Sequence, residues 1–312
     1  MTLKPLDRDR LVDGFADSDA MPASVARLCA LLAGGRAEIA EITQVVEHDQ
    51  VLTGHLLRRA NSAASSAVEP VRTVRDAAVR LGPAEVLSVA LAASVSQLMR
   101  HAQPAYTLVE GDLWRRSVAA SASADAIRSH AALPLPQELG TAALLHDVGK
   151  VAIGRALPLE HLRELRRVHQ QAAGAGVDGG SAADPGTFAG AQACLHDETM
   201  LATERRILGL DHAQVGAALA RRWGLPASMV SAIALHHQMR ADGDPCVVGV
   251  GLAHGMVIDV LGARPGGSDQ APSVPGAQGS MMLALGIDPG AYDALLDLAL
   301  RRYEQIVSTY DI

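Results

Sequence analysis

Aromatic side chains are scarce in this sequence. Two Trp, four Tyr and two Phe amount to 3% of 312 residues. A core without large rings must be filled by Ala, Leu, Val and Ile, and such small side chains favour closely packed helices. Cysteine is rare too. Cys29, Cys194 and Cys246 are odd in number, far apart and form no CxxC pair, which argues against a disulfide framework or a zinc ribbon. No stretch of about 18 uncharged apolar residues occurs, so no transmembrane helix is expected. The first residues, MTLKPLDRDRLVDGF, alternate in charge and lack the apolar run of a signal peptide. The expectation from these absences is a cytoplasmic protein with small buried thiols. Positive charge is also short. Lys and Arg number 27 against 34 Asp and Glu, a net charge of −7, which gives no electrostatic reason to expect DNA or RNA binding. The basic pairs Arg58-Arg59, Arg115-Arg116, Arg205-Arg206, Arg221-Arg222 and Arg301-Arg302 read as solvated helix faces. Little aromatic residue interleaves them for base stacking.

What is present is a globular composition, 49% hydrophobic and 20% charged, long enough for one large domain or two modest ones. Strand signals are few and helical spacing is common. Pro22 opens a helix whose apolar positions are Val25, Leu28, Leu31 and Leu32. Ile39, Ile42, Val45 and Val46 make a second stripe, and Leu52, Leu56 and Leu57 a third. Thr73-Val-Arg-Asp76 has the form of a capping box with Asp in place of Glu, followed by Val74, Ala77, Ala78 and Leu81 on one face. Gly82 should stop that helix and Pro83 open the next, which is apolar nearly all round to Met99. A further helix is expected from about Glu110 to His130. The predicted fold is all-α, a multi-helix array without sequence repeats. Residues 172–187 and 263–280, rich in Gly, Ala, Asp, Pro and Ser, read as loops. Residues 1–19 form an N-terminal extension, a boundary is placed near residues 100–110, and 261–312 are a loop and a C-terminal helix packing on the domain.

Chemistry concentrates in two strings. In the first, Leu144-Leu-His146-Asp147-Val-Gly-Lys150, an apolar helix delivers an imidazole next to a carboxylate, a pair able to ligate one divalent cation. On a continuous helix Lys150 shares a face with His146 and could hold a phosphate oxygen or a metal-bound water. A buried hydrogen-bonded His beside a turn-capping Asp would look the same. The second string runs from Glu204 through Asp211-His212 and Trp223-Gly-Leu-Pro226 to His236-His237. Asp211 should cap a helix starting at His212, with Val215, Leu219 and Trp223 inward. Adjacent residues lie about 100° apart on a helix, so one of His236 and His237 would face a site and the other a neighbour.

His146-Asp147 with Lys150, His212 and His236-His237 resembles the HD superfamily of metal-dependent phosphohydrolases. The rest resembles its HDOD branch: Met21-Pro22, Asp49-Gln-Val-Leu52 with Leu56-Leu57 and Asn61-Ser62-Ala63, the helix ending in Leu81-Gly82, Leu113-Trp114 with Ser117, and the stretch from Glu204 to His237. The resemblance covers residues 20–260, with an N-terminal helical part to residue 105 and an HD-like part from 106. It departs from the HDOD signature where Gln50 replaces a proline, and from active HD enzymes where Arg116 stands in place of the first metal-ligating His and where His254 aligns with the closing Asp, Asp259 falling about a turn later. Arginine cannot ligate a metal and adds a fixed positive charge. The resemblance implies a non-enzymatic regulatory module of bacterial signal transduction that binds a partner protein or a small ligand. Its metal site would be degenerate, with His146, Asp147, His212, His236 and His237 around a divalent Fe, Mn, Zn or Mg. The alternative is a metal-dependent phosphohydrolase, or a binder of a nucleotide or cyclic dinucleotide, in which Lys150 and Arg116 hold phosphate and Lys150 is the candidate catalytic residue.

Overall fold

The computed structural model describes residues 22–33, 38–61, 70–174, 197–238, 240–262 and 276–309. Among these the regular elements are helices, and one isolated bridge pairs Gln103 with Leu108. The N-terminal helices are α1 (Ala23–Ala33), α2 (Ile39–Glu47), α3 (Gln50–Ala60) and α4 (Val74–Arg100). The central ones are α5 (Asp112–His130), α6 (Leu139–Leu145), α7 (Val148–Ala156), α8 (Leu159–Gly174), α9 (Asp197–Leu208), α10 (His212–Arg222), α11 (Ala227–Leu235) and α12 (Pro245–Gly262). Then come α13 (Gly276–Ala284) and α14 (Tyr292–Thr309), the latter packed along α5. The all-α expectation holds. The expected N-terminal extension, Met21, Ser62-Ala63, Cys194 and most of the two expected loops lie outside the described residues.

Local sequence explains the helix ends. Asp49 caps α3 by accepting from the Leu52 amide at 3.0 Å, and its other oxygen accepts from Ser24 Oγ at 2.6 Å. That second bond ties α1 to α3. The Asn61 side-chain amide clamps the Val71 backbone from both sides, donating to its carbonyl at 2.8 Å and accepting from its amide at 2.6 Å. Thr73 caps α4 as its spacing foretold, accepting from the Asp76 amide at 3.1 Å. Gly82 stands at φ +77 inside α4 and Pro83 resumes the helix, so α4 is two helices joined at the expected break. The helix expected from Glu110 begins at Asp112, after Gly111 at φ +82. Helix enters both Gly-rich stretches where composition suggested loop. α8 continues to Gly174, and α13 starts at Gly276 because Met281 and Met282 are buried and anchor that short helix.

The predicted stripes face inward. Val25, Leu28, Ile42, Val46, Leu52 and Leu56 are all buried in one continuous core. Trp114 and Tyr106 are its largest fully buried side chains, and alanines fill much of the α5 surface. Among the described residues two helices, α4 and α12, are long and apolar enough to cross a membrane by length and composition. Both contribute many residues to the core, and α4 is broken at Gly82–Pro83.

α7 and α10 approach closely at two glycines. A Cβ at Gly149 would overlap the His212 carbonyl oxygen and stand 2.7 Å from the Gly216 amide nitrogen. A Cβ on Gly216 would stand 3.1 Å from Ile233 and 3.3 Å from the Gly149 nitrogen. Backbone, not a flexible side chain, receives the clash. Gly149→Ala is therefore expected to destabilise the protein by about 3 kcal/mol, at the upper end for overpacking, whereas Gly54→Ala, in the middle of α3 with open space around its Cβ, is expected to stabilise it by about 0.5–1 kcal/mol. Urea unfolding of the two variants checks this.

Candidate metal centre

α6 is buried from Leu139 to Leu145 and carries His146 at its C-terminal cap. The chain then turns at Asp147, φ −98 and ψ 8, before α7 begins. This break corrects the expected continuous helix. Lys150 belongs to the new helix, and its Nζ pairs with Asp147 Oδ2 at 2.7 Å, three residues back. Asp211 caps α10 as expected, accepting from the Gln214 amide while Gln214 accepts from the Asp211 amide. That cap, held also by Arg205 at 2.6 Å, fixes His212 as the first helical residue. α11 ends at Leu235, and His236–Gln238 form a single 3₁₀ turn. The change of pitch brings both neighbouring rings inward, with centroids 3.9 Å apart, where a continued α-helix would have turned one away. His254 enters from the middle of α12.

These elements converge. Asp147, His212, His236 and His237 each offer an atom to one group within 4.8 Å, and His146, His236 and His254 do so to a second. His236 belongs to both. His146, Asp147, His212 and His236 are at most 2% exposed. The closest contacts are His237 Nε2 to His212 Nε2 at 2.8 Å, His254 Nδ1 to His146 Nε2 at 3.1 Å, and His212 Nε2 to Asp147 Oδ1 at 3.2 Å.

Three of the rings are oriented from behind. His146 Nδ1 lies 2.6 Å from the Ala143 carbonyl, and His236 Nδ1 lies 2.8 Å from that of Ile233. Carbonyls only accept, so both Nδ1 atoms carry the proton and both Nε2 lone pairs point into the cluster. His212 Nδ1 faces the fully buried Glu204 carboxylate at 2.8 Å, and the same carboxylate accepts from the His212 backbone amide at 2.8 Å. This is the outer-shell arrangement that fixes tautomer and orientation in metal-binding histidines. His236 Nε2 is buried with no hydrogen-bond partner, and Asp147 Oδ1 has the His212 ring at 3.2 Å as its nearest polar neighbour; a cation among them would serve all three. The donor set fits a divalent metal.

Charge follows the same plan. Burial lowers His146 to about 3, against the pull of Asp147. Burial and the neighbouring imidazoles hold His236 well below its usual value. Both rings are neutral near pH 7 and ready to ligate. Burial would also lower His212, but the Glu204 carboxylate overcomes it and holds this histidine up at about 9. Burial opposes the charge on Asp147, yet Lys150 and the histidines keep it well below the ordinary carboxylate range. The Lys150 ammonium also stands 5.9 Å from the Tyr106 ring centre.

The structure thus gathers His146, Asp147, His212, His236 and His237, and adds His254 beside His146. Asp259 turns elsewhere, accepting from the Tyr292 hydroxyl in a short hydrogen bond. Arg116 is buried on α5 and offers no ligand atom. Lys150, 3% exposed, is committed to Asp147. Glu204 is the residue whose role the sequence reading did not assign. Its signal was a carboxylate eight residues before His212 in an otherwise amphipathic stretch.

The HDOD domain profile matches residues 19–176 and 187–239. This chain belongs to the HDOD family. No curated protein matches it. Among solved structures, the HDOD chain resembles an HDOD domain protein of unknown function from Geobacter sulfurreducens, with TM-score 0.64 and 22% identity over 96% of this chain and 98% of that one. A candidate phosphohydrolase from Shewanella amazonensis gives TM-score 0.61 and 19% identity over 95% and 97%. A candidate signal-transduction protein from Marinobacter aquaeolei gives 0.64 and 21% over 96% of this chain and 64% of that one. Similarities at these identities establish the HDOD fold.

The raised His212 value sets a pH dependence. In metal-free protein, the stability gained from protonated His212 is complete below the usual 6.5 and is lost as pH rises through about 9. Glu204→Gln should move the imidazole titration down and flatten stability across that window, as NMR titration and urea unfolding from pH 6 to pH 9.5 would record.

Proposed function

We propose that this HDOD chain is a regulatory signal-transduction module whose histidine-rich cluster holds a divalent cation in a closed, non-hydrolytic site. Its setting is cytoplasmic and its partner another signalling protein. The observation that carries this reading is the enclosure of the donors. A catalytic metal keeps a position open to water and substrate, whereas His146, Asp147, His212 and His236 are at most 2% exposed, Lys150 occupies Asp147 Oδ2, and His237 alone of the donors is partly exposed. Asp147, His212, His236 and His237 would hold the cation, with His146 and His254 beside them. The excess of imidazole over carboxylate suits Fe, Mn or Zn better than Mg. When bound, the metal would supply positive charge for the inward lone pairs. The chain's own groups hold the geometry: Glu204 and the Ala143 and Ile233 carbonyls retain the Nδ1 protons, and Lys150 fixes the carboxylate.

The first test is elemental analysis of protein purified without chelator. About one equivalent of transition metal is expected, falling below about 0.2 in Asp147→Ala and His236→Ala, and Glu204→Gln should weaken metal affinity by about 10- to 100-fold. Metal-poor wild-type protein would sink the metal assignment. The second is turnover of a phosphodiester panel with Mn²⁺. None is expected, and hydrolysis abolished by His146→Ala would overturn the non-enzymatic reading.

A further inference from the structure

A cleft lies between α3, α4, α5, α6 and α14, and none of the clustered histidines lines it. Its volume is about 510 Å³, within the roughly 300–1,000 Å³ of small-molecule sites. Arg59, Arg80, Arg128 and Arg302 line it, one from each of four helices, against Glu85 and Asp125. The cleft therefore carries an excess of two positive charges in a chain of net charge −7. Members of two basic pairs that looked like unrelated solvated faces, Arg58-Arg59 and Arg301-Arg302, meet here.

The internal pairing leaves that excess unspent. Glu85 is held by Arg59 at 2.7 Å. Asp125 stands 3.5 Å from Arg128. Arg302 donates to the neutral Ser129 hydroxyl at 2.8 Å, and Arg80 reaches the Ala60 carbonyl only at 3.4 Å. Burial, and after it the charges of Arg128 and Arg59, lower Arg302, with Asp125 pulling the other way. Arg128 is 39% exposed and Arg59 27%, so a solute can reach them. Ser88, Ser121, Gln137 and Gln305 add neutral hydrogen-bonding groups to the walls.

We propose that this cleft binds a small phosphorylated molecule, its phosphoryl group seated among Arg80, Arg128 and Arg302. A phosphate monoester brings nearly two negative charges and several acceptor oxygens, which match both the excess charge and the forked geometry of guanidinium donors. An extended polyanion would meet the negative remainder of the protein, whereas an enclosed small ligand does not. The site bridges N-terminal α3 and α4 to α5 and C-terminal α14. One wall is α6, through Gly140, Thr141 and Leu144, and α6 ends at His146. This inference does not depend on metal occupancy of the histidine cluster.

Calorimetric titration of the full chain tests it, with EDTA present so that phosphate cannot report on a bound metal. AMP and pyrophosphate are the probes and adenosine is the matched control without phosphate. AMP or pyrophosphate is expected to bind with Kd at or below about 1 mM, adenosine not to bind, and Arg128→Ala or Arg302→Ala to weaken binding by about tenfold or more. Near-UV circular dichroism verifies folding. Should an alanine variant unfold, Arg128→Lys and Arg302→Lys keep the charge and lose the fork, and are expected to weaken binding by about threefold to tenfold. The site is overturned if neither phosphate probe binds at about 5 mM, if adenosine binds as well as AMP, or if folded variants at both arginines bind like wild type.

Discussion

Two helices can pass this closely only where neither presents a side chain, and Gly149 and Gly216 meet that condition where α7 crosses α10. The crossing sets the distance between Asp147, at the head of α7, and His212, at the head of α10. Everything else in the cluster is referenced to those two. The Glu204 carboxylate can reach both the ring and the backbone of His212 only because Asp211, capping the same turn, orients the helix start. His236 and His237 arrive by a different device, a 3₁₀ turn that closes α11 over the same point.

Burial on this scale needs compensation. A fully buried carboxylate such as Glu204 or Asp147 is costly unless paired, and each has a cationic partner or one that becomes cationic: His212 for Glu204, Lys150 for Asp147. The neutral rings His146 and His236 are kept neutral by the same burial. The result is a mixed site, in which the ionised Asp147 and the proton-holding His212 stand beside the neutral His146 and His236. Removing Glu204 therefore changes more than one hydrogen bond, since it alters which ring carries a proton.

Much of the fold was legible. The stripes at Val25–Leu28, Ile42–Val46 and Leu52–Leu56, the Thr73 cap and the Gly82–Pro83 break are local signals, and the structure repeats them. The candidate site was legible as a set of residues, because an adjacent His-Asp, an N-capped His and a His pair are recognisable in the chain. What could not be read was three-dimensional. The turn at Asp147 that gives Lys150 to the carboxylate depends on backbone angles no spacing encodes. The inward turn of both His236 and His237 depends on where α11 gives way to a tighter helix. The convergence of Arg59 and Arg302 required four helices to be placed at once, so the basic pairs could only be read as solvated faces.

The shortage of aromatic residues has an optical consequence. The chain holds two tryptophans, and the fold sends them to different places. Trp114 is fully buried and forms part of the wall of the arginine cleft. Trp223 closes α10, the helix that begins at His212, with its backbone amide bonded to Leu219. Indole emission follows the polarity and rigidity of its surroundings, so each ring is a built-in lamp for one region. With Trp223 replaced by Phe, the tryptophan emission becomes that of the cleft wall, and with Trp114 replaced it becomes that of the helix bearing His212.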